Sequence, residues 1–201
     1  MRRAVLATGN PHKLRELQDL LAPSGIELLA QSVLGVAPVA ETGHSFVENA
    51  LLKARHAAEH TDLPAIADDS GIEVDALGGR PGVASARYAG QGASDEDNLY
   101  KLERELAEVP DERRGARYVC ALVYVRAASD PSPIVCERYW PGRIGRERRG
   151  RNGFGYDPVF VVPSLGMTAA ELDPVRKNEL SHRGQALRAL LDALAVDRGA
   201  A

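Results

Sequence analysis

Two adjacent carboxylates, Asp68 and Asp69, follow the short apolar run 65–67. An apolar run of this length predicts a buried strand, and the following Ser70 and Gly71 predict that the strand ends at the acidic pair. Neighbouring carboxylates repel each other, so a folded protein gives such a pair a cation, a proton or open water. One interpretation is a Mg²⁺ ligand beside a general base, the pairing that activates water for attack on phosphorus. The alternative is a solvated turn, because Asp-Asp-Ser-Gly is also good turn chemistry.

A second candidate site lies near the start of the chain, where a predicted strand over 4–7 meets a predicted helix. Gly9 permits a tight turn, Asn10 is a good N-cap and Pro11 suits the first helical position. The N–H groups and the dipole of such a helix end bind anions. Lys13 lies in the first turn, where the dipole disfavours a cation, so a bound anion explains it better than helix stability does. The sequence predicts phosphate binding here, with an ordinary strand–helix turn as the alternative.

The helix that carries Lys53 is predicted to begin after Ser45 or Thr42, either of which can cap it, and Glu48 supplies the capping-box acid for Ser45. Asn49, Lys53 and His56 follow one polar stripe of this helix. Taken alone, such a stripe is usually a solvated face.

Two later segments carry groups that suit a nucleotide. Phe154 and Tyr156 lie on a glycine-containing loop, which we interpret as a platform for a planar base. His182 and Arg183 follow Ser181, a good N-cap, and so occupy the first turn of the last predicted helix. Because the helix dipole disfavours cations there, we interpret both as ligand contacts.

Composition narrows the possible partners. The run 143–151 holds five arginines, and we favour a solvated loop over a nucleic-acid grip because no aromatic residues interleave to stack bases. The net charge of −3 gives no global attraction to nucleic acid or an anionic membrane.

Cys120 and Cys136 lack metal-ligand spacing, which indicates reduced core thiols. No apolar run approaches the ~20 residues of a membrane span. The sequence predicts a soluble, cytoplasmic protein with no nucleic-acid or membrane partner.

The elements around these sites predict an α/β fold in a single domain over 1–201. One helix is predicted to begin after Ser94 and to end before Pro110. Further strands are predicted over 26–30, 117–125, 134–140 and 159–162.

Five motifs, in order along nearly the whole chain, resemble the signatures of the Ham1/RdgB inosine triphosphate pyrophosphatase family. They lie at 8–13, 48–54, 67–71, 153–158 and 181–183. Each motif alone is weak, but five at family-like spacing are highly specific. The resemblance implies an elongated mixed β-sheet flanked by helices, with two lobes and an active-site cleft between them. It also implies a homodimer and dependence on Mg²⁺.

The implied activity is hydrolysis of ITP, dITP and XTP to the monophosphate and pyrophosphate, which removes deaminated purines from the nucleotide pool. By the resemblance, Asp69 is the proton acceptor and a metal ligand, Asp68 is its catalytic partner and Glu41 is a further metal ligand. The residues implied to bind the purine nucleoside triphosphate are Thr8, Gly9, Asn10, Pro11, His12, Lys13, Lys53, Ser70, Phe154, Gly155, Tyr156, Asp157, Lys177, His182 and Arg183.

Hydrogen-bond polarity gives a basis for selectivity. Inosine and xanthine present a carbonyl at C6, with which donors of the segment 182–183 would pair, whereas the amino group of adenine would leave those donors unpaired. Two alternatives stay open: a pyrophosphatase for modified pyrimidine nucleotides, and a nucleic-acid-binding module that uses 143–151.

Overall fold

A computed structural model describes residues 2–21 and 25–199, apart from the side chains of 2, 11, 12, 19, 20 and 197–199. The strands are β1 (Arg2–Ala7), β2 (Ile26–Ala30), β3 (Ala65–Val74), β4 (Gly115–Val125), β5 (Ile134–Ile144), β6 (Phe160–Val162) and β7 (Met167–Thr168). The helices are α1 (Pro11–Leu21), α2 (Phe46–Thr61), α3 (Asp95–Glu105), α4 (Pro174–Leu180) and α5 (His182–Gly199).

Within the described ranges the strands form one seven-stranded sheet in the order β2-β1-β3-β4-β5-β6-β7. β1 pairs in parallel with β2 and β3, while β6 pairs in antiparallel fashion with β5 and β7. The predicted α/β fold with a mixed sheet is therefore confirmed. α3 ends earlier than predicted, because the residues after Leu106 form tight turns, such as the bond from the Val109 N–H to the Leu106 carbonyl.

β3 does not end at the acidic pair, so the solvated-turn interpretation is wrong. The strand continues through Ser70 to Val74, because Ile72 and Val74 bury fully in a second core. Gly71 makes this continuation possible, since a Cβ there would overlap the Ser85 side chain. The Ile72 N–H donates to that same Ser85 hydroxyl at 2.9 Å. The two carboxylates are therefore in the middle of a strand.

The chain forms two compact units. The first comprises 1–69, 120–138 and 183–201, and the second comprises 70–119 and 139–182. Each has its own apolar core, which in the first unit joins β1, β3 and β4 to α1 and α5. The chain passes between the units after Asp69, Val119, Arg138 and His182. The predicted single domain and the implied cleft stay predictions.

One expectation from composition, that of core thiols, is met by the described residues. Cys120 and Cys136 are buried free thiols. None of the described helices combines the length and the apolar character that crossing a membrane requires.

Arg114 is a buried cation that anchors the end of α3 to β5 inside the second unit. It is 3% exposed, and its guanidinium donates to the carbonyl oxygens of Leu106 at 2.6 Å, Ile144 at 2.9 Å and Gly145 at 2.9 Å. Leu106 and Ile144 lie at the ends of α3 and β5, and the Leu106 carbonyl also accepts from the Val109 N–H.

Replacing Arg114 with Met should lower the free energy of unfolding by about 3 kcal/mol, because buried carbonyl groups lose their donors. Urea unfolding of Arg114→Met measures this change. The exposed neighbour Arg113 supplies the control, since Arg113→Met should stay within about 0.5 kcal/mol of the unsubstituted protein. Equal midpoints for both variants would contradict the anchoring role.

Candidate functional site

Asp68 and Asp69 belong to different clusters, because consecutive residues of a strand point to opposite faces of the sheet. Asp68 meets Lys13 from α1 and Arg183 from α5. Asp69 meets Lys53 from α2. The acidic pair therefore does not share one cation, and each carboxylate has its own surroundings.

Asp68 is 1% exposed and is saturated by donors. The Lys13 ammonium lies 2.5 Å from its Oδ1, and the Arg183 Nε and the Cys120 thiol each donate to its Oδ2 at 3.1 Å. Arg183 also pairs with Glu16. Burial opposes ionisation of Asp68, but Lys13 and Arg183 outweigh it and hold the pKa well below the usual range. Asp68 is therefore a permanent anion that fixes two cations.

Asp69 is 4% exposed and is less well supplied with donors. The Lys53 Nζ lies 2.8 Å from Asp69 Oδ1 and 2.8 Å from Glu41 Oε1, so one ammonium bridges two carboxylates. Among the described residues, the buried Asp69 Oδ2 has no hydrogen-bond partner. Burial raises the pKa of Asp69, and the opposing charges of Lys53 and Lys13 offset this only in part. Asp69 is thus a stronger base than an ordinary carboxylate.

The Asp69 cluster fits a divalent metal ion. Mg²⁺ is commonly held by one or two carboxylates together with water and substrate phosphates. Glu41 and Asp69 converge on one cation, and Asp69 Oδ2 offers an acceptor that no described residue uses. The described part of the chain gathers no three His, Cys, Asp or Glu side chains that could hold a metal ion by themselves. The arrangement therefore suits a metal that a phosphate ligand completes.

The predicted turn at the start of α1 is present. The Asn10 side chain accepts from the Lys13 N–H at 3.2 Å, as expected of an N-cap, and the Asn10 N–H donates to the Thr8 hydroxyl at 3.2 Å. Gly9 is exposed at the bend. Pro11 and His12 belong to α1, but their side chains lie outside the described residues.

An aromatic cluster forms in the second unit around His182. Its ring stacks on Tyr118 with centroids 4.7 Å apart and planes 6° from parallel. Tyr118 also contacts Phe160 at 4.5 Å, and Phe160 contacts Trp140 at 5.2 Å. The imidazole at the start of α5 is therefore held flat against apolar rings.

Asp157 organises the loop that carries Phe154. Its Oδ1 accepts from the Tyr118 hydroxyl at 3.0 Å, and its Oδ2 accepts from Lys177 Nζ at 2.6 Å and the Phe154 N–H at 2.9 Å. Lys177 Nζ lies 5.2 Å from the centre of the Phe154 ring, within cation–π range. Gly153 has φ of 76° and no room for a Cβ beside Asp157, so the bend requires glycine.

Of the two loop aromatics that were expected to form a platform for a base, only one lies outside the core. Tyr156 lies in the core of the second unit, where its hydroxyl donates to the Ser85 carbonyl at 2.8 Å. Phe154 remains half-buried on the loop. The Gly155 N–H donates to Asp95 at 3.0 Å, so α3 holds the loop at its middle.

The predicted site residues fall into two groups. Those in the first unit are Thr8, Gly9, Asn10, Lys13, Glu41, Lys53, Asp68, Asp69 and Arg183. Those in the second unit are Ser70, Phe154, Gly155, Tyr156, Asp157, Lys177 and His182. The helix stripe interpreted as solvated is not solvated, since Asn49 is fully buried and Lys53 is paired.

Several residues in and around these clusters were not identified as site residues from the sequence. They are Glu16, Asn49, Asp95, Cys120, Tyr118 and Trp140. Tyr118 and Cys120 look like ordinary members of an interior strand, and no local pattern sets them apart. Only Asn49 carried a signal, because it directly follows a capping box.

The arginine-rich run is used for ion pairs within the second unit. Arg148 binds Glu96 and Glu103, and Arg146 binds Asp111 at 2.6 Å. Arg146 and Arg148 are exposed, in keeping with the favoured interpretation of a solvated segment.

Comparisons with known proteins agree over nearly the whole chain. The model of the Ham1 family matches residues 4–193. The dITP/XTP pyrophosphatase of Yersinia pestis is 60% identical over 194 residues, which cover 96% of this chain and 98% of that protein. The structure of a HAM1 protein from Coxiella burnetii matches with a TM-score of 0.90 at 49% identity, over 97% of this chain and 99% of that one. A nucleoside-triphosphatase / dITP/XTP pyrophosphatase structure from Mycobacterium abscessus matches with a TM-score of 0.75 at 46% identity, over 96% and 99%.

Replacing Asp68 with Asn should lower the free energy of unfolding at pH 7 by about 3–5 kcal/mol, because Lys13 and Arg183 lose their shared counter-charge. The folded-state pKa lies below the unfolded value of about 3.9, so the stability that Asp68 contributes is present above about pH 4. It is lost as the pH falls through the folded-state pKa. Urea unfolding should therefore show a smaller difference in the free energy of unfolding between Asp68→Asn and the unsubstituted protein below pH 4 than at pH 7. Asp62→Asn, at an exposed helix end, is the control.

Proposed function

This chain belongs to the Ham1 family, and from that premise we propose that it hydrolyses dITP, ITP and XTP to the monophosphate and pyrophosphate. The observation that carries the proposal is the Asp69 cluster, in which two carboxylates converge on one cation and a buried carboxylate oxygen lacks a protein donor. Such a cluster suits a metal–polyphosphate complex beside a water molecule.

Asp69 is proposed as the general base. Hydrolysis between the α and β phosphates needs an activated water in line with the leaving pyrophosphate. The Asp69 oxygen without a protein donor is available to accept a proton from such a water. Glu41 and Asp69 would hold Mg²⁺, which when bound offsets charge on the phosphates.

Asp68 is proposed as a positioning residue and not as a second base. Both of its carboxylate oxygens already accept from protein donors, and its lowered pKa makes it a poor proton acceptor. It holds Lys13 in the first turn of α1, where the ammonium and nearby N–H groups would bind phosphate. Lys53 would also bind the negatively charged phosphates when the bound substrate draws its ammonium away from Asp69 and Glu41.

The aromatic cluster is proposed to select the base. Phe154, half-buried on its loop, offers a face for a purine, and Lys177 and His182 offer donors for a carbonyl at C6. Adenine presents an amino group there and would leave a buried donor unpaired. We also propose that the enzyme works as a homodimer, as the family resemblance implies.

A substrate panel tests the activity. Pyrophosphate release with Mg²⁺ should be at least tenfold faster from dITP, ITP and XTP than from dATP, dGTP, dCTP and dUTP, and should stop when EDTA removes the metal. A faster reaction with modified pyrimidine triphosphates would favour the pyrimidine alternative. Equal rates on all the nucleotides would contradict the selectivity, and undiminished activity in EDTA would contradict the metal.

Replacing Asp69 with Asn should reduce kcat by about 10³-fold or more, because the isosteric amide cannot take a proton from water. Binding of α,β-methylene dITP, measured by calorimetry, should change less than tenfold. Glu73→Gln removes a carboxylate from the same strand, where Glu73 pairs with Arg117, and should leave kcat unchanged. Activity retained by Asp69→Asn would mean that another group is the base.

A further inference from the structure

Two helices in different units begin in the same way. In each, an N-cap Ser and an acid three residues later form a complete capping box, and an Asn follows the acid. The corresponding residues are Ser45, Glu48 and Asn49 in α2, and Ser94, Asp97 and Asn98 in α3. The shared local sequence makes α3 an internal reference for α2.

The two asparagine amides differ in how they are satisfied. Asn98 is buried, its Oδ1 accepts from the Ala89 N–H at 2.8 Å and its Nδ2 donates to the Ala86 carbonyl at 3.2 Å. Asn49 is 0% exposed, and its Oδ1 accepts from the Gly43 N–H at 2.8 Å. Its Nδ2 has no acceptor among the described residues. A buried donor without a partner is destabilising and calls for an explanation beyond helix capping.

The hydrogen bonds of α2 fix the preceding segment 43–45. Asn49 takes the Gly43 N–H, while Glu48 Oε2 takes the N–H groups of His44 at 2.6 Å and Ser45 at 3.2 Å. The approach at Gly43 is close, since a Cβ there would lie 2.7 Å from Glu48 Cβ and 2.8 Å from Asn49 Oδ1. Three consecutive N–H groups are thus tied to one helix end.

This attachment constrains the backbone that follows Glu41. Glu41 is two residues before Gly43, and its carboxylate is 2.8 Å from Lys53 Nζ. Asn49 and Lys53 are four residues apart on α2 and so share one face of the helix. The same helix face therefore holds both the segment that presents Glu41 and the lysine that Glu41 contacts.

We propose that Asn49 is a positioning residue for the metal ligand Glu41, acting through the Gly43 N–H. The inference rests on the proposed function, in which Glu41 and Asp69 hold Mg²⁺. Groups that orient a metal ligand commonly change metal affinity by 10–100-fold when removed, although they never touch the metal.

Replacing Asn49 with Leu tests this role, because Leu has a similar volume and no polar atoms. The variant loses the bond to Gly43 and also loses the unpaired donor. The thermal midpoint should therefore change little, while Mn²⁺ affinity, measured by electron paramagnetic resonance with α,β-methylene dITP bound, should fall about tenfold. Wild-type Mn²⁺ affinity in Asn49→Leu would overturn the proposal.

Asn98→Leu is the matched control. It removes two satisfied hydrogen bonds at the same helical position, so its thermal midpoint should fall while its Mn²⁺ affinity stays within about twofold. Equal losses of Mn²⁺ affinity in both variants would assign Asn49 a general structural role and overturn the proposal. Gly43→Ala breaks the same attachment from the loop side and should reproduce the loss of Asn49→Leu, which keeps the test decisive if Asn49→Leu does not fold.

A double-mutant cycle with Glu41→Gln tests whether Asn49 affects metal binding through Glu41. If Asn49 acts through Glu41, Asn49→Leu should change Mn²⁺ affinity less than twofold once Glu41 is Gln. Fully additive losses would overturn the proposal and leave the proposed function intact. A protein whose Mn²⁺ affinity is unaffected by Glu41→Gln alone would instead overturn the assignment of Glu41 as a ligand.

Discussion

The alternation of side chains along β3 is the constraint on which both carboxylate clusters depend. Ile72 and Val74 must enter the core of the second unit, so the strand cannot turn at Asp68 and Asp69. Consecutive side chains of a continuous strand point to opposite faces, and the two carboxylates are separated by the backbone between them. Each acid therefore acquires its own cations, and adjacent residues have pKa values shifted in opposite directions.

A single buried anion offsets two unfavourable helix starts. Lys13 and Arg183 both lie in the first turn of a helix, where the dipole disfavours a cation, and both pair with Asp68. The sequence suggested external ligands as the reason for both cations, yet the structure supplies internal partners for both: Asp68 for Lys13, and Asp68 with Glu16 for Arg183. The predicted contact of Arg183 with a nucleotide stays a prediction. This pairing links α1 and α5 to β3, and it joins residues that are far apart in the chain.

What could be predicted from the sequence was local. The capping boxes of α2 and α3, the Asn10 cap of α1 and the bounds of β2 follow from residues a few positions apart. The continuation of β3 could not be predicted, because it depends on a core that later residues build. The stack of His182 on Tyr118 joins residues of different elements, and the burial of Tyr156 depends on the Ser85 carbonyl. Residue types in a loop do not specify such partners.

The comparison of α2 with α3 shows where local rules stop being informative. Both helices have the same start, and only in α3 are both polar atoms of the buried Asn matched by the described residues. Asp69 Oδ2 likewise has no partner among the described residues, and the other oxygen of that carboxylate contacts Lys53. Native proteins satisfy nearly all buried polar groups, and exceptions concentrate where function opposes stability. The carboxylates around Lys53 therefore keep an acceptor that no described residue uses, whereas both oxygens of Asp68 are occupied by donors.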